Sequence, residues 1–193
     1  MRSQRVVGVG VTVTPTSIAG VMVVSTQVLT DHRGAFARLF CHEALGHVVG
    51  SRQIVQINQS RTSRVGAVRG MHFQRAPRAE MKLVRCLKGR VWDVAVDLRA
   101  GSPTFRHWHA EELSEENRRM LVVPEGCAHG FQVLEADSEL LYLHTAPYTP
   151  SLEGGVQPTD PMLAIAWPLP VQDLSARDSE HPWLTADFAG FDA

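Results

Sequence analysis

Gly66-Ala67-Val68-Arg69-Gly70-Met71-His72-Phe73-Gln74 and Pro124-Glu125-Gly126-Cys127-Ala128-His129-Gly130-Phe131 are the two stretches from which the architecture is read. Each sets one histidine among glycines and apolar or aromatic residues, as a strand entered through a tight turn requires. The two segments read as facing halves of the mouth of a small β-barrel. The first has the spacing G-x5-H-x-Q and is followed by Lys82; the second has the spacing P-x-G-x-x-H.

Outward from these segments, short β-type runs alternate with turn residues. Candidate strands are Ile54–Asn58, Met81–Leu87, Val91–Leu98, Phe105–Glu112, Met120–Val123, Phe131–Leu134 and Glu139–His144. Lys88-Gly89, Ala100-Gly101-Ser102-Pro103 and Glu153-Gly154-Gly155 separate or follow them. Such spacing predicts an all-β antiparallel sandwich or barrel with short helices. A helix is expected over Phe36–Leu45, and a single turn at Ser114-Glu-Glu-Asn117. Val9-Val11-Val13 and Val21-Val23 alternate as strands do, so residues 1–16 are read as an N-terminal extension forming an edge strand or dimer arm. Thr and Ser interrupt the Val-rich Val6–Val28 region, so no 18-residue apolar run exists, and the segment is expected to be structural rather than a signal peptide. The Pro-rich chain after Asp160 is expected to wrap over the barrel. No repeat or linker divides the chain, so residues 1–193 are read as one domain.

Composition is that of an ordinary globular protein. The 193 residues are 44% hydrophobic and 20% charged, with a formal net charge of −1, which offers no electrostatic basis for binding nucleic acid or a membrane. The three cysteines, Cys41, Cys86 and Cys127, lack metal spacing and read as reduced thiols of a cytoplasmic protein.

The two spacings resemble the paired motifs of the cupins, with one change. A metal-binding cupin has a second histidine where this chain has Gln74. A metal set of His72, Glu80 and His129 can be written, but Lys82 argues against it, because an ammonium repels a divalent cation. His107-Trp108-His109 also places two histidines on one strand face, where a packed or solvated face is the simpler reading. Arg69, His72, Lys82 and His129 together read as an acid–base pocket. The only two tyrosines, Tyr142 and Tyr148, lie close together. A phenol, with its ordinary pKa of about 10, is a natural second proton carrier.

Ordered blocks extend this reading: Asp31-His-Arg33-Gly34-Ala-Phe36, Gln56-Ile-Asn58-Gln-Ser60, Lys82-Leu-Val-Arg-Cys86, Asp93-Val-Ala-Val-Asp97-Leu-Arg99, Tyr148-Thr-Pro-Ser-Leu-Glu153, Ile165-Ala-Trp-Pro168 and Leu174-Ser-Ala-Arg-Asp178. With the two histidine segments, they resemble the dTDP-4-dehydrorhamnose 3,5-epimerases from about Ile18 to Pro182. The resemblance implies a cupin-type jelly roll, a homodimer with exchanged N-terminal strands, and a nucleotide-diphosphate sugar as substrate. It implies epimerisation beside a 4-keto group, with no cofactor and no metal. His72 would be the base, Asp178 its supporting carboxylate, Lys82 the enolate stabiliser and Tyr142 the acid. Arg33, Gln56, Asn58, Arg69, His129, Glu153 and Arg177 match substrate-binding positions, and Tyr148 an aromatic that stacks on the base.

Departures from the family pattern gather around recognition. Arg38 stands where the family usually has a substrate-binding glutamate, and Ile57 where it has an aspartate. Arg106 replaces a common glycine, and Gln157-Pro158-Thr159-Asp160 lacks the usual Trp-Asn. The open alternatives are a single-site 3- or 5-epimerase of another nucleotide 4-keto sugar, a metal-dependent cupin enzyme, and a binding module that kept the pocket without turnover.

Overall fold

The computed structural model describes residues 10–192. In chain order the strands are β1 (Val11–Pro15), β2 (Met22–Thr26), β3 (Val28–Asp31) and β4 (Gly34–Ala37), then helix α1 (His42–Val49). There follow β5 (Gln56–Thr62), β6 (Val68–Gln74), β7 (Lys82–Lys88), β8 (Arg90–Asp97), β9 (Trp108–Ser114), β10 (Arg119–Val123), β11 (Cys127–Val133), β12 (Ser138–His144) and β13 (Glu153–Gly155), and a one-turn helix α2 (Ala176–Ser179). Two antiparallel sheets result, in the orders β1-β2-β10-β7-β12-β5 and β13-β6-β11-β8-β9, with β3–β4 as a separate hairpin. From β6 to β12 the chain passes repeatedly between the sheets, which is the jelly-roll path.

The inner faces share one core. Val84, Cys86, Leu121 and Leu140 of the first sheet meet Val91, Ala95, Leu113, Phe131 and Val133 of the second. The outer faces are covered too. Helix α1 lays Ala44, Leu45, Val48 and Val49 on Leu83, Met120 and Val122. Val156, Leu163, Trp167, Leu184 and Phe191 cover Met71, Phe73, Val94 and Val96 of the second sheet. Each large apolar side chain buried this way contributes roughly 2 kcal/mol. Double coverage also explains why β8 reads as a nearly continuous apolar run instead of alternating.

The structure corrects several sequence boundaries. Phe36 lies in β4, opposite Leu29, so the helix begins only after Cys41 and ends at Gly50, whose φ is +60°. The apolar face that docks the helix is Ala44, Leu45, Val48 and Val49, past most of the expected span. The strand expected over Phe105–Glu112 starts at Trp108, because Arg106 turns the chain at φ +65°. His107 therefore lies exposed before β9 and shares no strand face with His109. Of the N-terminal extension, Val11–Pro15 forms the edge strand expected of it; Val9 and the residues before it lie outside the described residues.

Candidate active site

The site lies between the sheets, in a cavity of about 290 Å³. On the second sheet, His72 of β6 sits directly across from His129 of β11, next to a register shift between His129 and Phe131. The strands come unusually close there. A Cβ on Gly70 would lie 2.6 Å from the Gly130 Cα, and Gly70 has a φ of +142°, so both the spacing and the conformation call for glycine.

Helix α2 delivers the carboxylate. Ser175 Oγ accepts the Asp178 backbone N–H at 3.0 Å, fixing the turn. Asp178 Oδ1 then lies 2.6 Å from His72 Nε2, and Oδ2 accepts the Gly70 N–H at 3.3 Å. Burial pushes the Asp178 carboxyl upward, but His72 and the Gly70 N–H outweigh it and hold the group below its ordinary value. An ionised Asp178 selects the His72 tautomer that donates from Nε2, leaving Nδ1 with a lone pair. His181 stands edge-on to His72, with ring centroids 5.5 Å apart, and its Nε2 is 3.7 Å from Asp178 Oδ1.

The facing sheet supplies the other groups. Lys82 of β7, His144 of β12 and Gln56 of β5 form one cross-strand row, and Tyr142 and Asn58 lie in the neighbouring row. Tyr142 Oη is 2.8 Å from Ser60 Oγ. Burial pushes its phenol pKa up, so the hydroxyl keeps its proton through the neutral range. Lys82 Nζ is 3.1 Å from Glu80 Oε1, and His144 Nδ1 is 2.8 Å from Glu80 Oε2. Burial raises the Glu80 carboxyl, while His144 and Lys82 outweigh it and keep it low.

This distribution does not assemble the metal set considered from sequence. Glu80 pairs with Lys82 and His144, and His129 Nε2 pairs with buried Asp93 at 2.9 Å. Burial pushes Asp93 up, with His129 pulling the other way. Among the described residues, the set with ligand-like proximity is His72, Asp178 and His181, whose atoms lie within 4.8 Å of one another. Gln74 has a different role from a missing ligand. It accepts the Thr149 N–H at 2.8 Å and donates to the Pro147 carbonyl at 3.2 Å, tying down the loop that carries Tyr148.

A base backed by a carboxylate on one sheet, with a protonated phenol and an ammonium on the other, can move protons on two faces of one ligand. Comparison with known proteins gives the family. A family model described as dTDP-4-dehydrorhamnose 3,5-epimerase matches residues 15–186. The chain belongs to the dTDP-4-dehydrorhamnose 3,5-epimerase family.

A relative of that name from Sinorhizobium fredii is 43% identical over 169 residues, covering 87% of each chain. The structure of dTDP-6-deoxy-D-glucose-3,5-epimerase from Legionella pneumophila in complex with dTDP-4-keto-L-rhamnose matches with a TM-score of 0.86 and 37% identity, covering 95% of this chain and 99% of that one. A 3'-monoepimerase from Streptomyces bikiniensis in complex with dTDP-quinovose matches with a TM-score of 0.82 and 34% identity, over 88% and 86%.

Against the family expectations, the cavity gathers His72, Lys82, Tyr142, Gln56, Asn58, Arg69, His129, Tyr148 and Glu153. Asp178 reaches it through His72, and Arg177 through a 2.6 Å bridge to Glu153. Arg33 and Arg38 do not join them. Arg33 lies on the β3–β4 hairpin, largely exposed and bound to Asp31, and Arg38 is exposed just past it. The sequence reading gave no role in this pocket to His144, His181, Asp93 or Ser60, and treated Glu80 only as a metal ligand. Asp93 and Ser60 lay inside the quoted blocks, and a lone carboxylate within the apolar run of β8 was a usable signal for Asp93. His144 had none, since its partner Glu80 is distant in sequence, and His181, three residues from Asp178, meets His72 only through the fold.

Proposed function

We propose that this protein epimerises a dTDP-linked 4-keto-6-deoxyhexose, with residues 1–193 acting as one catalytic domain. The observation that carries the reading is His72 of one sheet, backed by Asp178 of α2, facing Tyr142 and Lys82 of the other sheet across one cavity. The 4-keto group acidifies the hydrogens on C3 and C5. His72 takes one of them on Nδ1, Lys82 holds the enolate oxygen electrostatically, and Tyr142 returns a proton from the opposite face. Asp178 stabilises the imidazolium that forms.

The roles of Gln56, Asn58, Arg69, His129 and Tyr148 are to hold the nucleotide and sugar. Glu153 and Arg177 form a charged rim, with the guanidinium available to a diphosphate oxygen. We infer a homodimer as well. The β3–β4 hairpin exposes Leu29 and Phe36 and carries Arg33, with Arg38 just beyond it, a suitable element to reach a second copy's cavity. Free thiols and a dTDP-sugar substrate fit a cytoplasmic enzyme.

Incubation with dTDP-4-keto-6-deoxyglucose in deuterated water, followed by NMR, tests the reading. Deuterium at both C3 and C5 with inversion is expected; a label confined to one carbon would favour the single-site alternative, which the likeness to a 3'-monoepimerase keeps in view. No incorporation excludes this substrate. Stoichiometric, tightly bound metal on His72, Asp178 and His181 would overturn the acid–base mechanism.

A further inference from the structure

Lys82 has two neighbours that the mechanism above does not use, Glu80 and His144. The Glu80 side chain is 10% exposed and both its oxygens are taken, one by the Lys82 ammonium and one by His144 Nδ1. The line continues away from the lysine. Asn58 Nδ2 lies 3.3 Å from His144 Nε2, Gln56 Nε2 donates to Asn58 Oδ1 at 3.3 Å, and the Tyr148 N–H donates to Gln56 Oε1 at 3.0 Å. Every link has one donor and one acceptor when His144 carries its proton on Nδ1. The chain therefore runs without a mismatch from Tyr148 to the Glu80 carboxylate.

At its far end the geometry limits what Lys82 can do. An ammonium has three N–H bonds. One serves Glu80, one is directed at the His72 carbonyl at 3.4 Å, and the third remains for the cavity that Lys82 lines. A half-buried ammonium needs a counter-charge, and Glu80 supplies it. The carboxylate also weakens the attraction between Lys82 and a developing enolate. Its contribution is thus placement rather than field strength.

We propose that Glu80 and His144 are positioning residues for Lys82, and that they link the substrate-recognising edge formed by Gln56 and Asn58 to the ammonium that meets the enolate oxygen. This rests on the epimerase reading. The Glu80–His144 pair makes the placement of Lys82 depend on how the sugar nucleotide engages Asn58, so that recognition is felt in turnover.

The test is steady-state epimerisation of dTDP-4-keto-6-deoxyglucose by the full-length wild type, Glu80→Gln, His144→Ala and His144→Gln. Glu80→Gln and His144→Ala are expected to lower kcat about tenfold while KM stays within about twofold, the signature of an interaction exerted in the transition state. His144→Gln, whose amide offers an acceptor to Asn58 and a donor to Glu80, is expected to return kcat to within about threefold of wild type. Unchanged kcat in Glu80→Gln and His144→Ala overturns the proposal. So does an equal loss in His144→Ala and His144→Gln when circular dichroism shows both folded. If His144→Ala fails to fold, Glu80→Gln decides in the same way. An inactive wild type would instead sink the epimerase reading itself, and this proposal with it.

Discussion

Asp178 and Tyr142 show how single residues divide the chemistry. Asp178 stays ionised because His72 and the Gly70 N–H outweigh its burial, whereas burial keeps Tyr142 protonated. One is fitted to support a base and the other to be an acid. His72→Ala should abolish solvent deuterium exchange, lowering it by about 10³-fold or more. Tyr142→Phe should retain part of the exchange and block inversion, because deprotonation survives while delivery from the opposite face does not. Equal residual exchange and inversion in both variants, measured by NMR, would refute that division. His72, Lys82 and His129 were legible in sequence because each stands in a motif of fixed spacing. Tyr142 was legible as a proton carrier from the chemistry of its phenol, whereas Asp178 gained its role only through the family resemblance. Glu80 and His144 escaped assignment, because the bond joining them crosses from the loop before β7 to the end of β12.

At the scale of elements, the turn after β8 is held by one side chain. Asp97 is fully buried and accepts hydrogen bonds from Arg99 Nε at 2.8 Å, Ser102 Oγ at 2.6 Å and Thr104 Oγ1 at 2.7 Å. Burial raises its carboxyl pKa, but these donors outweigh burial and hold it well below 3.8. A depressed folded pKa means its stabilisation is complete above the unfolded value of 3.8 and is lost as pH falls through the folded one. Asp97→Ala should destabilise the fold by about 2 kcal/mol at neutral pH, since it leaves the half-buried Arg99, Ser102 and Thr104 without their shared acceptor. Urea unfolding at neutral pH and at pH values below about 3.8 checks this, because the gap between variant and wild type should narrow in acid. This turn also explains a boundary that sequence placed early: Phe105 belongs to the closure around Asp97, and β9 starts only after it. Strands β7, β8, β10 and β12 were legible to within a few residues, because their apolar runs end at clear turns. Helix α1 was displaced in the reading because Phe36, apolar and close by, is used in a hairpin instead.

At the scale of the whole molecule, the antiparallel sandwich class was legible from turn spacing, and a C-terminal covering from the Pro-rich stretch after Asp160, while the strand order and the sheet it covers were not. The sequence could not show that one chain leaves Arg33 outside its own cavity. That arginine lies on a hairpin whose Leu29 and Phe36 are 55% and 66% exposed, more apolar surface than a free hairpin needs. A closed two-fold dimer in which each hairpin reaches the other copy would bury both side chains and bring two guanidinium groups to two diphosphates. Mixing variants tests this directly. Arg33→Ala and His72→Ala should each be inactive or nearly so at low substrate, for different reasons. In a mixed dimer, the cavity with an intact His72 receives Arg33 from the other copy and works. Random reassortment makes half the dimers mixed, each with one working site of two, so activity should recover to about one quarter of wild type. If Arg33 instead serves its own cavity, no mixed dimer contains a complete site, and activity after subunit exchange stays at the sum of the separate variants.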